Sequence, residues 1–297
     1  MTRPFETVRV RLAEGYDVQA YVCGDLSAAG TRILFGLNGG PGLPSEYLRE
    51  GHAWLADEGF ALVFYDQLGC GASDRPEDER LWTLARYVEE VEQVRAVLGI
   101  GRFHLLGHSW GTWLGTEYCL TYPERVASYI VADGACDIPH LRTELERLRA
   151  ALGAETVAMM RHHEAAGTLT HPEYAAALTL LNYRHVCRLP VWPEALTRSL
   201  AQWNEGPYRT MQGPNEFTYT GNMREWNRVP DMHGITAPAL VICGAFDELT
   251  PACSRAMYEA MPNAQLEVLE DASHMPFYET PAVYRHVVGM FLKAQPV

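Results

Sequence analysis

Residues 105–114 read LLGHSWGTWL, and the position of Ser109 between two glycines decides how the whole chain is read. The serine follows the apolar run Phe103-His104-Leu105-Leu106 and precedes the helical pattern WGTWLGTEYCLTYPERV. In a strand-to-helix turn this sharp, side chains at the flanks collide with neighbouring backbone, so Gly107 and Gly111 are the residues that permit it. Ser109 is therefore expected to stand above the carboxyl edge of a sheet, exposed as a nucleophile.

Working outward, the apolar runs Ile33–Leu37, Ala61–Tyr65, Tyr129–Ala132 and Ala239–Ile242 have the texture of strands buried on both faces of a parallel sheet, and Gln265–Leu269 adds a further strand. Between them, WTLARYVEEVEQVRAVLG sets Leu84, Val88, Val91, Val94 and Leu98 on one helical face, with Gly99 able to end the helix. Thr7–Leu12 and Asp17–Cys23 alternate around Glu14-Gly15 and predict an opening antiparallel hairpin. The alternation of strand and helix implies an α/β fold with right-handed crossovers. It is interrupted after Cys136. From Ile138 to about Met232 the sequence is helix-like, broken by prolines and rich in Tyr and Trp, so residues 1–135 and 234–297 are expected to form the core and 136–233 a helical cap.

The 297 residues carry a formal net charge of −13, which disfavours nucleic acid and anionic membrane as partners and favours cationic ligands such as free amines. Seven widely spaced cysteines, without a CxxC or zinc spacing, fit reduced thiols. The N-terminus lacks the apolar core of a signal peptide, and no stretch of about 18 apolar residues could span a bilayer, so a cytoplasmic location is expected.

A serine hydroxyl needs a base, and the base an orienting acid. Asp247 follows the strand ending near Ala245, and His274 follows the next one, giving the chain order Ser, Asp, His. Asp133, after the strand Tyr129–Ala132, is an alternative acid; His104, His162 and His163 lie within strand or helix patterns, and His108 is expected to pack away from the site. An oxyanion requires backbone donors, for which Gly40, in the loop Asn38-Gly39-Gly40-Pro41-Gly42, and Trp110 are the candidates. That loop has neither of the glycine patterns that cradle phosphates.

Several segments together resemble the proline iminopeptidase-type α/β hydrolases, a family that includes the tricorn-interacting aminopeptidase. NGGPG is similar to that family's HGGPG, YDQLGCGASDRP to its DQ-x-G-x-G-x-S segment, GHSWG to its nucleophile elbow, GAFDELTP and ASHMPFYE to its acid and base segments, and MQGPNEFTYTGNMREW to its cap motif. The resemblance implies an α/β-hydrolase fold, with a mostly parallel sheet flanked by helices and an inserted helical cap. It also implies that carboxylates from cap and core, matched here to Glu216 and Glu248, bind the free amine of a substrate. An ion pair at about 4 Å is worth roughly 4 kcal/mol at an effective dielectric near 20, before desolvation.

The activity implied is cleavage of the amide after a free N-terminal amino acid, through an acyl-enzyme and without metal or organic cofactor. Asn38 stands where the family usually has histidine, which bears on substrate preference. Removal of an aminoacyl group from a small-molecule amide, a general carboxylesterase, and a ligand-binding receptor that keeps the hydrolase fold stay open. An epoxide hydrolase or dehalogenase would need a carboxylate at position 109.

Overall fold

The structure is a computed structural model that describes residues 4–215 and 218–295. Eight strands form one sheet: β1 (Glu6–Arg11), β2 (Asp17–Cys23), β3 (Arg32–Leu37), β4 (Phe60–Asp66), β5 (Phe103–His108), β6 (Val126–Ala132), β7 (Ala239–Gly244) and β8 (Ala264–Leu269). Their spatial order is β1-β2-β4-β3-β5-β6-β7-β8. The opening pair is antiparallel, β2 joins β4 antiparallel, and every later pairing is parallel. Gly15 turns the opening hairpin at φ 90°.

The central strands are apolar on both faces because both faces are covered. Phe35, Val63, Leu105, Val131 and Val241 pack with Val88 and Val91 of α2 (Leu84–Val97), Leu114 of α3 (Trp110–Thr121) and Met257 of α9 (Pro251–Ala260). Leu34, Leu62, Leu106, Ile130 and Leu240 pack on the opposite side with Leu48 of α1 (Glu46–His52) and Val288 of α11 (Pro281–Ala294). The period-2 alternation thus assigns successive residues to two separate cores. Among the parallel strands, the edge strand β8 alternates towards solvent, which is why its apolar signal is weaker than that of the central strands.

Between β6 and β7 the chain runs through a helical insert: α4 (Ile138–Ala150), α5 (Ala154–Ala166), α6 (Pro172–Leu181), a π-turn at Asn182–Val186, α7 (Glu194–Ala201) and α8 (Glu205–Met211). The helical texture expected to continue to about Met232 is broken after Met211 and returns only as a 3-10 turn at Val229–Gly234. Gly213 at φ 152° and Gly221 lie against backbone of Thr218 and Met211, approaches too close for a Cβ, and Thr220 and Gly221 both donate to the carbonyl of Gln212. These contacts replace helix with a packed loop. All seven cysteines are buried thiols outside any disulfide. Among the described residues, no helix is long and apolar enough to cross a membrane.

The element that positions the site is the β5–α3 junction. Ser109 sits there at φ 55°, ψ −126°, a conformation that costs on the order of 1–3 kcal/mol for a non-glycine residue. A Cβ on Gly107 would press into the backbone of Gly111, and one on Gly111 into the carbonyl of Leu37 at the end of β3. Gly111→Ala is therefore expected to destabilise the fold by about 3 kcal/mol or more, because rigid backbone rather than a mobile side chain opposes it. Urea denaturation followed by circular dichroism measures this; an unchanged midpoint would show that the junction can relax.

Candidate active site

Five loops leave the carboxyl edges of β3, β5, β6, β7 and β8 and converge, as ligand sites do in open α/β sheets. The insert roofs them to leave a cavity of about 270 Å³. Gly40, Ser109, Glu248 and His274 all line it. Behind His274, its Nδ1 donates to Asp247 Oδ1 at 2.7 Å, and both side chains are almost wholly buried. Asp247 Oδ1 also accepts from the backbone N–H of Leu249 at 2.9 Å. His274 Nε2 stands 3.7 Å from Glu248 Oε1. The expected acid and base are thus paired, and the base shares its cavity with the expected nucleophile.

Of the two candidate oxyanion donors, Trp110 opens α3, where the first N–H groups have no partner within the helix and carry its positive dipole end. Its indole donates to Gln67 Oε1 at 2.9 Å, fixing this turn to the loop after β4. Gly40 lies at φ 121° beside a Gly39 whose own N–H is already committed to Tyr47 Oη at 2.7 Å. Asn38, buried where the family histidine would stand, donates from Nδ2 to the Leu43 carbonyl and so closes the loop on itself. Glu216 lies outside the described residues; its chain neighbours Pro214 and Asn215 line the cavity.

His108 was expected to pack, and it does, but it also carries a directed hydrogen-bond chain. Gly39 N–H can only donate and the His274 carbonyl can only accept, so the polarity is fixed at both ends: Gly39 to Tyr47 Oη, Tyr47 O–H to His108 Nδ1 (2.8 Å), and His108 Nε2–H to His274 O (2.8 Å). The chain requires a neutral imidazole. Burial first, and the neighbouring His274 next, hold the His108 pKa well below its ordinary value.

Three further side chains were not singled out from sequence. The Asp66 carboxylate takes the N–H and hydroxyl of Ser45 at 2.8 Å and the N–H of Ala72 at 2.9 Å, anchoring the loop that follows Gly40. Glu279, which ends α10 (Pro276–Glu279), accepts from the N–H groups of Ser273 and Met275 on either side of His274 and from Arg188 N–H in the insert. His185, in the π-turn, offers its carbonyl to the N–H of both Glu248 and His274 at 3.2 Å, and its Nδ1–H donates to the Phe246 carbonyl. A π-turn is uncommon and tends to mark a functional position; here it ties the insert to the loops carrying acid and base. Glu279 lies in the quoted segment ASHMPFYE and was legible as a carboxylate five residues past the histidine. His185 gave no such signal.

The cavity walls are otherwise mainly apolar: Leu178, Leu181 and Leu200, Trp192 and Trp203, with Met275. At one side Glu205 and Arg209 pair with each other at 2.6 Å. Among the described residues, two groups place three metal-type ligand atoms within 4.8 Å: His163, His171 and Glu173, and Asp133, Asp247 and His274. In the first, the imidazoles stack at an interplanar angle of 19°, so their in-plane lone pairs run side by side instead of converging. In the second, the facing atoms of Asp247 and His274 are used in their mutual hydrogen bond.

A strained serine between strand and helix, with acid and base on the loops after the two last strands, is the arrangement of an α/β hydrolase, and residues 34–281 match the family model described as alpha/beta hydrolase fold. The proline iminopeptidase of Heyndrickxia coagulans is 38% identical over 271 residues, covering 91% of this chain and 93% of that protein. The proline iminopeptidase of Saccharolobus solfataricus is 33% identical over 88% of this chain and 84% of its own length. The chain belongs to the proline iminopeptidase-like α/β hydrolases. Among solved structures, VinJ superposes with a TM-score of 0.93 at 32% identity, covering 99% of this chain and 100% of that one. A proline iminopeptidase from Mycobacterium smegmatis does so at 0.89 and 35%, with coverage of 97% and 98%.

The directed chain through His108 has a measurable consequence. An unfolded histidine takes up a proton near pH 6.5, whereas the folded His108 does not, so its contribution to stability is complete above pH 6.5 and falls below it by about 1.4 kcal/mol per pH unit. Nitrogen-15 spectra of the imidazoles are expected to show His108 as the neutral Nε2–H tautomer from pH 8 down to 5. Titration of His108 near pH 6.5 would contradict the chain.

Proposed function

We propose that the protein is a serine amidohydrolase that releases an amino acid bearing a free amine from the amide of a peptide or of a small molecule. The observation that carries this reading is the strained Ser109 facing a cavity shared with His274, itself hydrogen-bonded to Asp247, and with the Glu248 carboxylate. Residues 136–233 serve as the cap over that cavity.

In this mechanism Ser109 Oγ attacks the carbonyl carbon as His274 Nε2 takes its proton. The N–H groups of Gly40 and Trp110 receive the developing oxyanion. Asp247 holds the imidazole by Nδ1 and stabilises the imidazolium that forms. Collapse of the tetrahedral intermediate breaks the C–N bond, with the proton passing from Nε2 to the leaving amine. Water, deprotonated by the same nitrogen, then releases the amino acid and restores Ser109. Glu248, beside His274, and Glu216 bind the substrate ammonium, which offers three donors and a full positive charge. The side chains at the apolar wall accept the leaving group, and their aromatic and aliphatic character suits an apolar amide as well as a peptide.

The test is a panel of amino-acyl p-nitroanilides, proline and alanine among them, each with free and with N-acetylated amine. Hydrolysis confined to free amines is expected, with Ser109→Ala lowering kcat/KM about a thousandfold or more and Glu248→Gln costing about tenfold on free-amine substrates alone. Equal rates on acetylated substrates would replace this reading by that of a general esterase or amidase. Binding without turnover would indicate a receptor.

A further inference from the structure

The acid of the site has a second carboxyl group against it. Asp133 follows Ala132 at the end of β6, in a left-handed conformation with φ 53° that is uncommon for any residue but glycine. Its backbone N–H donates to the Ile242 carbonyl at 2.8 Å, locking this bend to β7. The side chain is completely buried, and Oδ1 accepts from Gly244 N–H at 3.2 Å. Asp133, Asp247 and His274 have ligand atoms within 4.8 Å of one another. Two oxygens remain without a conventional donor: Asp133 Oδ2 and Asp247 Oδ2, both buried. Two buried carboxylates side by side would repel and leave both oxygens unsatisfied, whereas one proton between them satisfies both.

We propose that Asp133 is a positioning residue, protonated at neutral pH, whose carboxyl O–H donates to Asp247 Oδ2 and so fixes the plane and the charge of the carboxylate that holds His274. The hydrogen bonds decide where the proton resides. Asp247 Oδ1 accepts two N–H donors, from His274 at 2.7 Å and Leu249 at 2.9 Å, and these favour the ionised form. Asp133 accepts only the longer one from Gly244. The other titratable groups acting on Asp133 or feeling it are Glu279, the Cys243 thiol and the Tyr47 and Tyr284 phenols, none of them cationic at neutral pH. Burial, followed by the charge of Asp247, raises the Asp133 pKa well above the usual carboxylate range.

The consequence for catalysis rests on the function proposed above. Donation from Asp133 draws charge from Asp247, so Asp247 stabilises the protonated imidazole less, and His274 stays neutral and competent as a base to lower pH. Removing the donor should raise the pH at which His274 loses its proton.

Asp133→Asn keeps a neutral donor of the same shape; Asp133→Ala removes it. For Asp133→Ala the acidic limb of the kcat/KM profile is expected to move up by about one pH unit, with about tenfold lower kcat/KM at pH 7. Asp133→Asn should keep both close to the parent values. A limb that moves downward in both variants would show that Asp133 carries a charge, and an unmoved limb in Asp133→Ala that it does not act on His274; either overturns the proposal.

A second readout needs no turnover and no alanine variant. The infrared difference spectrum between the parent protein and Asp133→Asn at pH 7 should contain the carbonyl stretch of one protonated carboxyl group, assigned to Asp133 because Glu90 of α2, a second carboxyl group whose pKa burial raises, is common to both proteins. If only a carboxylate band is lost, the proposal is wrong even where the variants do not fold alike. If the acid band is present but Ser109→Ala leaves hydrolysis intact, the functional reading fails and the shared proton stands.

Discussion

The structure depends on one close approach. Helix α3 starts against the carbonyl end of β3 with no side chain at Gly107 or Gly111 to hold it off, and Ser109 is left in a conformation that its own backbone disfavours. A strain of that size is tolerated because both cores grip the elements on either side of it: Leu105 and Leu106 of β5 are wholly buried on opposite faces, and Trp110 and Leu114 of α3 are wholly buried too. The serine side chain can therefore neither retreat into the sheet nor relax into the helix. It is presented at the carboxyl edge, where the loops after the neighbouring strands reach.

Those loops are held by backbone donors collected on a few acceptors, Asp66 buried and Glu279 half-buried. Asp66 gathers the loop after Gly40, Glu279 gathers the residues around His274, and the chain through Tyr47 and His108 joins the two sides of the cavity. Each of these acceptors is costly to lose, since a buried donor left unpaired forfeits about 1–3 kcal/mol. The insert takes part through His185 and Arg188, so the roof of the cavity and the acid and base loops are a single hydrogen-bonded unit. An arrangement of this kind keeps the imidazole oriented before any substrate arrives.

Much of this was legible in the sequence because the central strands are buried on both faces and read as plain apolar runs, and because the glycines around Ser109 are required by sterics that only a sharp turn imposes. Asp247 and His274 could be found by position, each being the acidic or basic residue just past a late strand. The packing of residues 212–215 and 218–226 was not legible as such, since Gly213 and Gly221 act through backbone approaches that only the folded insert creates. His108 reads as a core histidine in sequence; its role as a link depends on Tyr47, 61 residues earlier, and on a carbonyl 166 residues later. The carboxyl pair is invisible for the same reason, because Asp133 and Asp247 meet only when β6 and β7 lie side by side.

The central claim is that Ser109 is made nucleophilic by His274. The most direct measurement is treatment of the native protein with an organophosphonate that reacts with activated serines, followed by intact-mass and peptide mass spectrometry. The account predicts one adduct per chain, on Ser109, formed at least a hundredfold more slowly in His274→Ala, in the range that loss of general-base catalysis brings. No adduct, or an adduct at Ser109 formed equally fast without His274, would contradict it.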